Sequence, residues 1–152
     1  MTELSEKKER KPKNILIIEN DDGLVELLEE LFNYEGYHVR CYKETDDVFS
    51  LMEDFTPDIV LLDYLLPGIN GGEVCAQLKR EPSTKHIPVV IFSAYSQVLL
   101  SLGSYGCNAF ISKPFELTSL LDQINKCLEN PLEIFTTKGP EKRASASVSI
   151  DD

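Results

Sequence analysis

The sequence lacks the residue patterns that mark a disulfide framework or a zinc site. It has four cysteines and two histidines, but no C-x-x-C pair and no cysteine–histidine cluster at zinc-ligand spacing. Each cysteine stands in a mostly apolar context, which favours a small core or boundary residue over a ligand. The histidines are equally isolated. These six residues are Cys41, Cys75, Cys107, Cys127, His38 and His86.

Long apolar runs are also missing. No segment approaches the roughly 18 apolar residues of a membrane-spanning helix, and the charged N-terminus has no apolar stretch typical of a signal peptide. We therefore expect a soluble, cytoplasmic protein with no membrane partner. An apolar fraction of 42% over 152 residues is sufficient for one folded domain with a real core.

Positive charge is scarce in the part of the chain that is expected to fold. Residues 14–130 hold 7 basic and 19 acidic residues, a net charge of −12 (7 − 19), within a whole-chain charge of −11. This balance argues against a nucleic acid partner, since phosphate contacts need clustered Lys and Arg. Most of the acidic residues are expected on solvated helix faces, and some of them at a cation site.

Apolar periodicity predicts one α/β domain between two tails. We expect residues 1–13 to form a charged flexible tail and residues 131–152 a disordered tail. Between them, five strand-like segments alternate with five helical patterns, which predicts a parallel sheet with helices on both faces. The predicted strands are 14–18, 37–43, 59–63, 87–94 and 108–112; four of the predicted helices are 45–54, 71–80, 95–105 and 117–128, and the first ends at Gly36.

The central predicted strand ends in a carboxylate. Asp63 follows the aliphatic run Ile59–Leu62 and precedes a turn segment that contains Pro67-Gly68. Open α/β sheets place their chemistry at the carboxyl ends of strands. This segment alone leaves two interpretations open, a reactive Asp63 or an aspartate that merely caps a loop.

An acidic cluster follows the first predicted strand, at Glu19, Asp21 and Asp22. Crowded carboxylates repel one another unless a cation joins them. A helix dipole also favours acidic residues at a helix start, which explains Asp21 and Asp22 well and Glu19 less well.

Four of the five predicted strands end in polar groups that should converge on one edge of the sheet: Glu19 and Asn20, Asp63, Ser93, and Lys113. Their types fit phosphoryl transfer to a carboxylate. Oxygen ligands can hold a magnesium ion, and an ammonium and a hydroxyl can stabilise the charge on the phosphoryl oxygens.

These segments resemble the receiver domain of two-component response regulators. The resemblance covers residues 14–129, and four motifs carry it: 15–21, 61–71, 91–94 and 110–115. It implies a flavodoxin-like, doubly wound fold with a five-stranded parallel sheet in the order 2-1-3-4-5. It also suggests a cis peptide bond before Pro114.

The resemblance implies a role for each site residue. Asp63 would be phosphorylated by a histidine kinase or a phosphotransfer protein. Ser93 would bond a phosphoryl oxygen, and Lys113 would pair first with Asp63 and then with the phosphoryl group. Phe110 would turn inward as Ser93 moves, although its position favours a plain core residue equally.

The resemblance also implies a Mg²⁺ site made by Glu19, Asn20, Asp63 and the backbone carbonyl of Leu65. Asn20 departs from the family, which most often has an acidic ligand at this position. Because an amide oxygen brings no charge, we expect weaker magnesium affinity than a carboxylate would give.

The resulting hypothesis is a stand-alone receiver that is not an enzyme, although it assists its own phosphorylation and dephosphorylation. No effector follows residues 126–129, so output should reach a downstream protein through the fourth helix, fifth strand and fifth helix. The protein would act as a monomer or a phosphorylation-dependent dimer. One alternative is a phosphorylation-independent binding module with the same fold, which Asn20 supports. The other, a flavin-binding electron carrier, is disfavoured because the acidic segment after the first strand would repel a phosphate.

Overall fold

The computed structural model describes residues 11–94 and 106–135, and the predicted helix at 95–105 lies outside the described residues. None of the helices in the described ranges is long and apolar enough to cross a membrane. The elements are β1 (Asn14–Ile18), α1 (Asp22–Tyr34), β2 (His38–Tyr42), the 3₁₀ helix η1 (Val48–Met52), β3 (Ile59–Asp63), α2 (Gly71–Arg80), β4 (Val89–Ser93), β5 (Ala109–Ser112) and α3 (Leu117–Glu129).

The five strands form one parallel sheet in the order β2-β1-β3-β4-β5, which confirms the predicted topology. The central strand β3 is buried along its whole length. Because all five strands run in one direction, their carboxyl ends lie along one edge of the sheet. The last paired residues at this edge are Ile18 with Leu62, Asp63 with Phe92, and Ser93 with Ser112.

Successive residues of the inner strands face two different cores. On β1, Leu16 and Ile18 face the first core, which lies under η1 and α2. Ile15 and Ile17 face the second core, which lies under α1 and α3. All four side chains are fully buried, and each contributes about 1.5–3 kcal/mol relative to an exposed position. The prediction of helices on both faces is therefore confirmed.

The crossover between β2 and β3 differs from the prediction. The sequence pattern predicts a helix over residues 45–54, but the structure has only the short 3₁₀ helix Val48–Met52. Arg40 on β2 binds Asp54 at 2.9 Å, and its guanidinium lies over the Phe55 ring. These contacts hold the chain near β2 just after η1. Asp47 caps η1, since its Oδ1 accepts from Phe49 N at 3.1 Å, and the helical pattern is satisfied by a short 3₁₀ helix that buries Val48.

The loop from Asp63 to α2 is folded tightly against the end of β3. Gly71 N donates a hydrogen bond to Tyr64 O at 2.8 Å, and Gly68 has a φ of 84°, a conformation that favours glycine. A Cβ added at Gly71 would lie 2.3 Å from Asp63 O. Glycine at position 71 is therefore required for the loop to hold Asp63 in place.

The folded part extends past the predicted boundary at residue 130. The buried Asn108 amide donates from Nδ2 to Pro131 O at 3.0 Å and to Glu133 O at 2.8 Å. Its Oδ1 accepts from Val89 N at 2.9 Å. Phe135 N donates to Asn108 O, and the Phe135 side chain packs against the second core. The folded part therefore reaches at least as far as Phe135, because the buried Asn108 amide binds the segment that follows α3.

Gly71→Ala should destabilise the protein by about 2 kcal/mol or more, since the added methyl group must displace backbone rather than a flexible side chain. Urea unfolding measures this change. Gly23→Ala is the matched control, because a Cβ at Gly23 would meet only Asp21 Oδ1 at 3.5 Å and alanine favours the helix. Equal stability of the two variants would contradict the tight approach at Gly71.

Asn108→Ala should lower the free energy of unfolding by about 3 kcal/mol, because it leaves one buried N–H and two carbonyls without their partner. Denaturant unfolding monitored by circular dichroism measures this loss. Asn125→Ala removes an exposed amide that accepts from Tyr37 Oη at 3.0 Å, and it should cost less than about 1 kcal/mol. A loss for Asn108→Ala no larger than that of the control would contradict this role of Asn108.

Candidate functional site

Three strand ends meet at the Lys113 ammonium. Lys113 Nζ donates to Glu19 Oε1 at 3.0 Å and to Asp63 Oδ1 at 3.2 Å. The Glu19 and Asp63 side chains are only 1% and 11% exposed, and that of Lys113 is 22% exposed. Lys113 lies 94 residues from Glu19 and 50 residues from Asp63 in the sequence. The three side chains thus form one ion-paired cluster at the carboxyl edge of the sheet.

The parallel register brings the two carboxylates together. Ile18 on β1 pairs with Leu62 on β3, so the next residues of the two chains, Glu19 and Asp63, emerge side by side. Glu19 N also donates to Tyr42 O at 2.9 Å, which continues the β1–β2 pairing one residue beyond β1. The backbone therefore fixes the positions of both carboxylates, and their proximity does not depend on flexible loops.

The Lys113 backbone is held by β4. Lys113 N donates to Ser93 O at 2.8 Å, which extends the β4–β5 pairing to the site. The peptide bond to Pro114 is cis, as the resemblance suggests. The ring of Phe115 stacks on that of Phe92 with centroids 5.4 Å apart. This segment is thus anchored on both sides of the cis bond, and the ammonium is directed toward the carboxylates.

Burial gives the Glu19 carboxyl an unusual environment. Its pKa is raised chiefly by burial and next by the nearby Asp63 charge. The hydrogen bond from Lys113, and a second one from Asp21 N at 3.1 Å, act in the opposite direction. Two carboxylates therefore share one ammonium, which leaves an excess negative charge in a site that is shielded from water.

Ser93 and Phe110 also lie at or near this edge. Ser93 ends β4, is 1% exposed, and its Cα pairs with that of Ser112 on β5. Phe110 on β5 is half-buried and packs against the first core. This position is compatible with both interpretations of Phe110, a plain core residue and a side chain that changes rotamer.

The donor atoms at this edge fit a hard divalent cation. Among the described residues, no three His, Cys, Asp or Glu side chains gather into a metal-binding group. Glu19 and Asp63 are two acidic donors that converge here, and the exposed Asn20 amide follows Glu19 in the chain. Carboxylate, amide and carbonyl oxygens are the ligands that Mg²⁺ takes, and a cation would offset the repulsion between the two carboxylates.

Two polar residues beside the site act as helix caps. Asp21 Oδ1 accepts from Leu24 N at 3.2 Å at the start of α1, in line with its interpretation as a helix-start residue. Asn70 Oδ1 accepts from Glu73 N at 2.9 Å at the start of α2. An Asn with a Glu three residues later, as in Asn70 and Glu73, is a helix-start signal that can be recognised in the sequence.

Comparisons with known proteins place these features in one family. Residues 15–125 match the response regulator receiver domain. The chain is 29% identical over 121 residues to the polar-differentiation response regulator DivK of Brucella anthropi, covering 77% of this chain and 97% of DivK. It is 27% identical over 117 residues to the phosphate regulon transcriptional regulatory protein PhoB of Rhizobium meliloti, covering 75% of this chain but only 51% of PhoB. The chain thus spans about half the length of PhoB.

Solved structures give the same result. A putative response regulator from Chloroflexus aurantiacus superposes with a TM-score of 0.74 at 29% identity, covering 78% of this chain and 99% of that one. The receiver domain of the sensor histidine kinase PA1611 from Pseudomonas aeruginosa shares the fold, with a TM-score of 0.70 at 18% identity over 78% and 99% of the two chains, and has magnesium coordinated in its active site cleft. On the family match over residues 15–125, the chain belongs to the response regulator receiver domain family of two-component signalling.

Proposed function

We propose that this receiver accepts a phosphoryl group on Asp63 from a histidine kinase or a phosphotransfer protein, in a Mg²⁺-dependent reaction. The observation that carries the proposal is the Lys113 ammonium at hydrogen-bonding distance from both Asp63 and Glu19. One edge of the sheet thus brings together three groups. The Asp63 carboxylate would be the nucleophile, the Lys113 ammonium would pair with the transferred group, and the Glu19 carboxylate would bind a metal.

The reaction is a displacement at phosphorus. An oxygen of Asp63 forms a bond to phosphorus, and the bond from phosphorus to the histidine nitrogen of the donor breaks, which leaves an acyl phosphate. Lys113 then pairs with a phosphoryl oxygen, and the Ser93 hydroxyl donates to another. Since the charge of the transferred group is spread over three oxygens, both donors stabilise the transition state as well as the product.

Glu19, Asn20, Asp63 and the Leu65 carbonyl would hold Mg²⁺. When bound, the ion neutralises charge on the phosphoryl oxygens. The excess negative charge beside Lys113 supports a cation at this site, and the receiver domain of PA1611, which shares the fold, has magnesium coordinated in its active site cleft. Because the same groups also favour attack by water on the acyl phosphate, the domain would assist its own dephosphorylation.

The signal would leave through protein contacts. Ser93 and the backbone of Lys113 belong to the ends of β4 and β5, so their movement toward a phosphoryl group displaces these strand ends. The surface of β5, α3 and the predicted helix at 95–105 would shift, with Phe110 turning inward, as a change in the populations of two states. Output would reach a downstream protein, from a monomer or a phosphorylation-dependent dimer.

A phosphorylation-independent binding module is the second candidate, and the neutral Asn20 is the observation that favours it. If the protein were such a module, the Asp63→Ala variant would bind the partner with the same affinity as the wild type. The two functions therefore differ in whether Asp63 is required.

Incubation with acetyl phosphate and Mg²⁺ should add about 80 Da, the mass of one phosphoryl group, to the protein. Asp63→Asn should abolish the addition, as read by intact-mass spectrometry. Asp58→Asn is the control, since Asp58 precedes β3 at the opposite edge, where its Oδ2 accepts from Asn14 N at 2.8 Å. Labelling of Asp63→Asn, or no labelling of either wild type or Asn20→Asp, would contradict the proposal.

Asn20→Asp should tighten Mg²⁺ binding roughly tenfold, because a carboxylate replaces a neutral amide beside a divalent cation. Isothermal titration calorimetry measures the dissociation constant. Asp22→Asn is the matched control, since Asp22 pairs with Lys43 at 2.6 Å and is expected outside the metal's ligands, so its affinity should change less than about twofold. If Asn20→Asp does not lower the dissociation constant for Mg²⁺, Asn20 is not a ligand.

A further inference from the structure

The last two residues of β4 hold the backbone on both sides of the site. Phe92 and Ser93 end this strand, and both are buried. Phe92 pairs in register with Asp63 on β3, and its backbone O accepts from Tyr64 N at 2.9 Å. Ser93 O accepts from Lys113 N at 2.8 Å. Consecutive residues of β4 therefore fix the backbone of the candidate phosphoacceptor and that of the residue that carries the ammonium.

The Phe92 side chain adds aromatic contacts to this arrangement. The ring of Phe115 stacks on it with an interplanar angle of 15° and centroids 5.4 Å apart. Lys113 Nζ lies over the Phe92 ring, 6.0 Å from its centroid, while it donates to Glu19 and Asp63. The negative face of an aromatic ring attracts an ammonium out to about 6 Å. The ammonium is therefore placed among two carboxylates and one ring.

Only Pro114 separates the stacked ring of Phe115 from Lys113. The proline ring fixes φ at its own position and also restricts the backbone of the residue before it. Few backbone rotations therefore lie between the stacked ring and the Cα of Lys113, so the stack limits where the lysine side chain begins. Phe115 is half-buried and packs against the second core. Another apolar side chain would also cover this core, whereas only a flat ring can stack on Phe92.

We propose that Phe115, through its stack on Phe92, is a positioning residue that holds the Lys113 ammonium where a phosphoryl group arrives at Asp63. The inference rests on the proposed function and adds to it the requirement for an aromatic ring at position 115. As the bond from Asp63 oxygen to phosphorus forms, the leaving group departs with its electron pair, and the ammonium pairs with the charge on the phosphoryl oxygens. A cation that is already in place needs no reorganisation, so its displacement should slow the transfer.

The shape of the side chain at position 115 separates positioning of the ammonium from filling of the core. Leucine and methionine are apolar but have no flat face, so they can cover the second core and cannot stack on Phe92. Tyrosine keeps the ring and adds one hydroxyl. A merely structural role should follow the apolar volume of the side chain, and a positioning role should follow the ring. Phe92 itself is fully buried, so its replacement would leave a cavity and confuse the two roles.

The experiment measures by intact mass the initial rate at which acetyl phosphate and Mg²⁺ label the full-length chain, at a temperature at which circular dichroism shows each variant to be folded. Phe115→Leu and Phe115→Met should each be labelled at least about fivefold more slowly than the wild type, and Phe115→Tyr within about twofold of it. Tyr37→Leu is the matched control. Tyr37 also packs against the second core, and its ring meets that of Phe32 with centroids 5.8 Å apart. It precedes β2 at the opposite edge of the sheet, so its replacement should change the rate less than about twofold.

Magnesium affinity is the second measurement. In Phe115→Leu the dissociation constant for Mg²⁺ should change less than about twofold, because Lys113 is not among the proposed ligands. No labelling of the wild type would contradict the proposed function, and this inference with it. If the wild type is labelled, a wild-type rate in Phe115→Leu or Phe115→Met, an equally slow Phe115→Tyr, or a slow Tyr37→Leu would overturn the positioning role alone. So would a loss of Mg²⁺ affinity that matches the loss of rate, since it would indicate a disrupted site.

Discussion

The structure of the site depends on one shared ammonium. Glu19 and Asp63 lie side by side because β1 and β3 run parallel in a fixed register, which sets the backbone position from which each carboxylate projects. Lys113 is the cation that makes this arrangement tolerable in a nearly buried position. The same imbalance, two anions for one cation, is the kind of charge excess that a divalent metal ion would offset.

The surrounding structure is organised to keep that cluster rigid. Gly71 allows the loop after β3 to return against the Asp63 carbonyl, and the stacked rings of Phe92 and Phe115 hold the chain beyond Lys113. The inner strands are buried on both faces, so the edge that presents the site is the end of a packed core. Preorganisation of this kind would lower the reorganisation that the proposed phosphoryl transfer requires.

Much of this arrangement could be predicted from the sequence because the local apolar patterns agree with the strands that form in the fold. Apolar runs that end in Glu19, Asp63, Ser93 and Lys113 indicate parallel strands with a common chemical edge, and the observed sheet order is the predicted one. The 3₁₀ helix before β3 could not be predicted, because the apolar pattern over residues 45–54 suits a short 3₁₀ helix as well as an α-helix. The bonds from Asn108 to the segment after α3 could not be predicted either, because they are long-range, and so is the sharing of Lys113 between two carboxylates.

The two-sided burial of β3 has a consequence for how such a chain can diverge. Its side chains alternate between the two cores, and its last residue is the candidate phosphoacceptor. Insertion or deletion of a single residue within the strand would exchange the two apolar faces and move the carboxylate away from Glu19 at the same time. Insertions and deletions among related sequences should therefore occur in the crossover before β3, where the only helix is the short η1. Within β3 itself, we expect substitutions only.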